Sequence, residues 1–160
     1  MARLHPGEQA PEFELFNQDK KPVSLQAYAG VKSVILFFYP KDESPESKRL
    51  ACGFRDAYEA FQEAQAEVIG ISPDSDASHK LFSISRHLHF QLLSDPKNKI
   101  AKQYGLRESW LIQWAGYETF IIDTQGIIRH IIPWYGQPDT HAAEVLHLLR
   151  KMNAEPPAHK

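Results

Sequence analysis

The order of elements along this 160-residue chain predicts an α/β fold with a mixed central sheet. Three observations carry that prediction. VKSVILFFY (31–39) and AEVIGIS (66–72) are continuous apolar, β-branched runs, as expected of strands buried on both faces. The segments after each run carry apolar residues at three- and four-residue spacings, the period of a helix. ETFIIDTQGIIRHII (118–132) alternates around a Thr-Gln-Gly turn and reads as a hairpin. Together they predict a sheet with parallel and antiparallel parts and helices on both faces.

The elements follow in order. FELFNQDKKPVSL (13–25) reads as two short strands around a polar turn. After the 31–39 strand, Ser44 can cap a helix, Pro45 suits its first position, and Glu46 complements the positive end of its dipole. Leu50, Phe54, Tyr58 and Phe61 then form one apolar stripe. The 66–72 strand ends at Pro73, and a helix is predicted over about 76–89 with Leu81, Ile84 and Leu88 inward. FQLLSD gives a short strand and NKIAKQYG a short helix ending at Gly105. After the hairpin, a last helix over about 140–152 is predicted to turn Ala143, Leu146 and Leu149 or Arg150 inward. NAEPPAHK, interrupted by Pro156 and Pro157, reads as a tail. The expected organisation is one domain over 1–153 and a polar tail over 154–160.

Composition narrows the function classes. Hydrophobic residues make up 42% and charged residues 24%, ordinary for a soluble globular protein. A net charge of −2 gives no reason to expect nucleic acid or an anionic membrane as partner. No apolar run is long enough to span a bilayer, and MARLHPGEQAPEF lacks the apolar stretch of a signal peptide. Cys52 is the only cysteine, so no intramolecular disulfide and no cysteine-based zinc site can form. These points lead to an expected cytoplasmic location.

The most informative stretch is FFYPKDESPESKRLACGFRD (37–56). A strand runs into YPKD, then into Ser44-Pro45-Glu46-Ser47 at a helix start. This stretch resembles the active-site segment of the peroxiredoxins, in the bacterioferritin comigratory protein or peroxiredoxin Q branch. That branch has Thr-Pro-Gly-Cys where this chain has Ser-Pro-Glu-Ser. The resemblance covers nearly the whole chain. GEQAPEFEL, VSLQAYAG, AEVIGISPDSDASHKLF, LLSDP, AKQYG and TFIIDTQGIIRH resemble family motifs in the family's order. It implies a thioredoxin-like fold, and an activity of thioredoxin-dependent reduction of hydrogen peroxide and organic hydroperoxides.

Peroxiredoxin chemistry is attack of a thiolate on the terminal peroxide oxygen, giving a sulfenic acid that a second thiol resolves. A helix N-terminus and a guanidinium lower the thiol pKa, and hydrogen-bond donors polarise the O–O bond. By the resemblance, Pro40 is the shielding proline and Ser44 stands for the threonine hydroxyl. Ser47 falls at the peroxidatic cysteine position, Cys52 at the resolving position, and Glu118 at that of the site arginine. A serine hydroxyl forms no sulfenic acid. Carboxylates at 46 and 118 disfavour an anionic nucleophile.

The chain is therefore expected to be inactive or very weak as a peroxidase. Alternatives are a non-catalytic binding or regulatory module on the same scaffold, or an engineered Cys-to-Ser form of an active peroxidase. The resemblance implies a thioredoxin-like reductant, a hydroperoxide substrate if the chain is active, no cofactor, and a monomer or weak homodimer. Cys52, lying between Leu50 and Phe54, is read as a packed helix residue ahead of a redox thiol. His87 and His89 form an HxH pair without a second ligand pair of recognisable spacing, so no metal is expected. His79 is expected to be structural. Trp110, Trp114, Tyr117, Trp134 and Tyr135 supply either an apolar pocket or dimer contact, or packing under a long loop.

Overall fold

The computed structural model describes residues 4–106 and 117–155. Strands β1 (Glu14–Phe16) and β2 (Pro22–Ser24) form an antiparallel pair of their own, joined by the predicted polar turn. A 3-10 turn, Leu25–Tyr28, leads to β3 (Ser33–Phe38), every residue of which is buried. Helices α1 (Pro45–Asp56) and α2 (Tyr58–Glu63) follow, then β4 (Ala66–Ser72), α3 (Asp76–Arg86) and β5 (Gln91–Ser94). After a 3-10 turn at Pro96–Asn98 come α4 (Lys99–Gln103), β6 (Glu118–Ile122), β7 (Ile128–Pro133) and α5 (His141–Ala154). Among the described residues, no helix is long and apolar enough to cross a membrane.

The main sheet has the order β5-β4-β3-β6-β7. β3, β4 and β5 are parallel, and β6 and β7 add antiparallel partners. This is the mixed thioredoxin-like sheet the sequence predicts. Alternation along the strands separates two cores. Ile35, Phe37, Val68, Leu92, Ile121 and Ile132 face one side, where they meet Leu50, Phe54, Phe61, Phe82, Val145 and Leu149 of α1, α2, α3 and α5. Leu36, Phe38, Ile69, Leu93, Phe120 and Ile122 face the other, with Phe13, Val23, Ile100 and Tyr104. Phe37 stacks on Phe54 at 4.7 Å and thereby seats α1 on the sheet. Gly70 on the next strand makes room for this ring, because a Cβ there would stand 2.6 Å from the Phe37 ring.

Three details differ from the sequence reading. The stripe from Leu50 to Phe61 is bent at Ala57, which leaves the helical region and divides the run into α1 and α2. Helix α3 buries His79, Phe82 and Ser83, while Leu81 is 70% and Ile84 61% exposed. The polar bonds of His79, described below, select this face over the more apolar one. Helix α5 buries Ala142, Val145, Leu149 and Met152; Leu149 is among the residues expected inward, whereas Ala143 and Arg150 are exposed and Leu146 is only half-buried. That stripe is a rotation of about 100° from the predicted one, the step between adjacent helical residues. The helix also continues through Ala154, and the rest of the predicted tail from 156 lies outside the described residues.

Candidate active site

The site begins where β3 ends. Tyr39 prolongs the ladder by donating its N–H to Ile71 at 3.0 Å, and half-buried Pro40 follows. The chain then turns through Lys41–Ser44 with Glu43 in the left-handed region at φ 65°. A loop with a non-glycine residue there needs outside support, and α3 supplies it. The Asp42 carboxylate accepts from the Tyr39 hydroxyl at 2.7 Å and the Ser78 hydroxyl at 2.8 Å, and lies 2.8 Å from His79 Nδ1. His79 Nε2 contacts the Leu93 carbonyl at 3.0 Å. The Asp42 N–H donates to Asp74 at 2.7 Å. Glu43 pairs with Arg86 at 3.2 Å and accepts from the Ser85 hydroxyl at 3.1 Å. Burial first, and then the Asp42 carboxylate, push the Tyr39 phenol well above its ordinary range.

Asp42, Asp74 and His79 offer atoms within 4.8 Å of one another, the one such group among the described residues. Hydrogen bonds with Tyr39, Ser72, Ser78 and the Leu93 carbonyl account for the arrangement without an ion. The group works as a clamp on the loop.

Ser44 is the N-cap of α1. Its hydroxyl accepts from the Ser47 N–H at 3.3 Å and donates to the Ser47 hydroxyl at 2.7 Å. Pro45 and Glu46 fill the first turn, as the sequence predicts. Ser47 is 1% exposed. Arg49, one half-turn on, forks onto Asp139 at 3.0 and 2.5 Å, so this cation is committed to the segment before α5. Cys52 is half-buried on α1. Five helical residues separate it from Ser47 by about 7.5 Å along the axis and about 140° around it, so the two side chains do not meet on the intact helix.

The opposite wall comes from β6 and β7. Glu118 is cross-strand from Pro133, Thr119 from Ile132, and Phe120 from Ile131. Thr119 is on the α1 side, where its hydroxyl lies 2.7 Å from His141 Nε2. Tyr117, two residues earlier, packs on the same core, with its ring 4.7 Å from Trp134 and 5.2 Å from Tyr135. Glu118 therefore shares the face of Phe120 and Ile122, away from α1. This corrects the expectation that Glu118 faces Ser47: strand alternation turns Tyr117 toward α1 instead. Burial raises the Tyr117 phenol, and the Glu46 carboxylate adds to the rise. Trp134 is fully buried and donates Nε1–H to the Phe38 carbonyl at 3.0 Å. Trp110, Trp114 and the rest of 107–116 lie outside the described residues.

Comparison with known proteins fits this geometry. The family model described as "AhpC/TSA family" matches residues 6–131. The chain belongs to the AhpC/TSA family. Within it, the chain is a peroxiredoxin Q relative. It is 41% identical over 151 residues to chloroplastic peroxiredoxin Q of Sedum lineare, covering 94% of this chain and 81% of that protein. It is 44% identical over 149 residues to the Arabidopsis thaliana protein of the same name, covering 93% and 68%. Among solved structures, peroxidoxin BcpB from Mycobacterium tuberculosis superposes with a TM-score of 0.83 at 32% identity, covering 92% of this chain and 97% of that one. A cysteine-to-serine mutant of Xylella fastidiosa PrxQ gives 0.84 at 26% identity, covering 95% and 99%.

These relatives overturn the expected cytoplasmic location, since the plant proteins named above are chloroplastic. The peroxiredoxin scaffold also contains groups that sequence reasoning passed over. Asp42 and Asp74 gave no signal beyond lying in YPKD and PDSD. Tyr117 was readable in principle, because in YETFI it shares a two-residue period with Thr119 and Ile121.

Proposed function

We propose that this chain is a peroxiredoxin Q-type protein with Ser47 at the peroxidatic position and little or no thiol peroxidase activity. The observation that carries this reading is the first turn of α1, where a buried serine hydroxyl, hydrogen-bonded to Ser44, stands at the helix N-terminus. An N-terminal turn favours an anion. A serine hydroxyl ionises far less readily than a thiol and cannot become a sulfenic acid. Glu46 next to it adds a like charge, and Arg49 is engaged by Asp139. Pro40 and Ser44 keep their shielding and hydroxyl roles in this reading, and Cys52 keeps the resolving position without a partner thiol in the chain.

By membership, the scaffold is matched to a hydroperoxide substrate and a thioredoxin-like reductant. What remains is a binding or regulatory module of monomeric or weakly dimeric form, in a compartment of the plastid type. The test is coupled turnover of hydrogen peroxide and an organic hydroperoxide with thioredoxin and its reductase. Consumption at the free-thiol background is expected. Family-level turnover, abolished by Cys52→Ser, would show that Cys52 has taken over the reaction.

A further inference from the structure

Helix α3 ends in a turn that normally favours glycine. His87 has φ 57° and ψ 46°, and the Leu88 N–H returns to the Ser83 carbonyl at 2.9 Å. This is the Schellman arrangement, in which the left-handed position is most often glycine because a side chain there is strained. An imidazole occupies it here. Leu88 is 7% exposed and anchors the segment, while His87 and His89 on either side of it are exposed. Both histidines line the same groove of about 480 Å³ between α3 and the β1–β2 turn. The His89 ring sits 6.1 Å from the Tyr58 ring, which limits its orientations.

The other groups in the groove are already engaged. Lys80 and Asp19 pair at 2.6 Å, so the ammonium is neutralised locally. Gln18 donates to Ser83 and Phe90 and accepts from the Leu92 N–H. His87 and His89 are the two histidines that line the groove.

We propose that His87 and His89 form a surface site for one first-row transition-metal ion of the imidazole-preferring class, Ni²⁺, Cu²⁺ or Zn²⁺. Two imidazoles flanking one anchored residue supply two nitrogen ligands, and water completes the shell. A hard cation such as Mg²⁺, which prefers oxygen ligands, is not held. The site is separate from Ser47 and does not depend on the loss of peroxidase activity.

The experiment is calorimetric titration of the untagged protein with NiCl₂, with paramagnetic broadening of backbone amide signals to locate the ion. One-site binding in the micromolar range is expected, with broadening centred on 87–89 and none on adding MgCl₂. His89→Ala and His87→Gly are each expected to weaken binding about tenfold or more, since each leaves a single nitrogen. His87→Gly keeps the fold, because glycine suits the left-handed turn. His147→Ala, an exposed histidine on α5, should bind as the parent does. Nickel affinity within twofold of the parent in either His87→Gly or His89→Ala overturns the site, as does broadening centred elsewhere.

Discussion

The Ser44 and Ser47 hydroxyls lie 2.7 Å apart, and the Ser44 oxygen also caps the Ser47 N–H. The residue proposed for the nucleophile position is thus part of the helix start itself. Ser44→Ala should cost about 1 kcal/mol by removing that cap. Glu46→Gly should also cost about 1 kcal/mol, from helix propensity and the dipole. Chemical denaturation midpoints measure both. An unchanged midpoint in both variants would mean that this turn is held by packing alone.

The clamp on the preceding loop gives a larger effect. Asp42→Ala strands the Tyr39 and Ser78 hydroxyls and the His79 ring, all close to one buried carboxylate. Orphaned buried donors cost roughly 1–3 kcal/mol each, so a loss of about 3 kcal/mol or more is expected. Amide exchange over residues 40–44 should accelerate in the same variant. A stability change as small as that of a surface substitution would show that α3 does not hold the loop.

Stability should also fall on mild acidification. His141 is fully buried, and burial lowers its pKa from 6.5 to about 4. A depressed histidine favours folding only while neutral. Above pH 6.5 neither state is protonated and nothing is lost. From pH 6.5 down to about 4 the unfolded chain takes up a proton that the native state refuses. About 3 kcal/mol is lost across that window, and little more below it. His141→Asn should flatten this limb of the stability-pH curve. His130, partly buried and also depressed by burial, adds a smaller slope of the same sign. An acid limb identical in His141→Asn would assign the transition to other groups.

Local chemistry is what the sequence made legible. β3 and β4 could be read because every side chain in them avoids water, and the α1 start because serine, proline and glutamate each suit one capping position. The inner faces of α3 and α5 could not be read as well. Each helix offers two stripes one residue apart, and apolarity alone favours the wrong one in α3. His79, Phe82 and Ser83 turn inward because His79 finds Asp42 and the Leu93 carbonyl, 37 and 14 residues away. Exposed Leu81 and Ile84 are the consequence. Such long-range polar pairing leaves no periodic trace. The Glu118 reading failed for a different reason, since it followed adjacency to Thr119 where the two-residue period of a strand decides the face.

That difference in face sets the last prediction. Ser47→Cys should react slowly with hydrogen peroxide, because Glu46 disfavours a thiolate at the helix start and the Arg49 guanidinium is held by Asp139. Because Tyr117 lies on the α1 side, Ser47→Cys with Tyr117→Arg exchanges a phenol for a cation there. An opposite charge within about 4–6 Å lowers a pKa by roughly 1–3 units, so about a tenfold gain or more in second-order rate is expected. Ser47→Cys with Glu118→Arg places its cation on the other side of the sheet, beside Phe120, and should stay within about threefold of Ser47→Cys alone. Tyr117→Phe in the same background controls for repacking against Trp134, since it keeps the ring and adds no charge. The thiol pKa, read from thiolate absorbance, should move with the rate in the Tyr117→Arg variant only. Equal rescue by both arginines would return Glu118 to the site. Family-level reactivity of Ser47→Cys alone would instead mean that the hydroxyl-for-thiol exchange is the whole of what separates this chain from a working peroxidase.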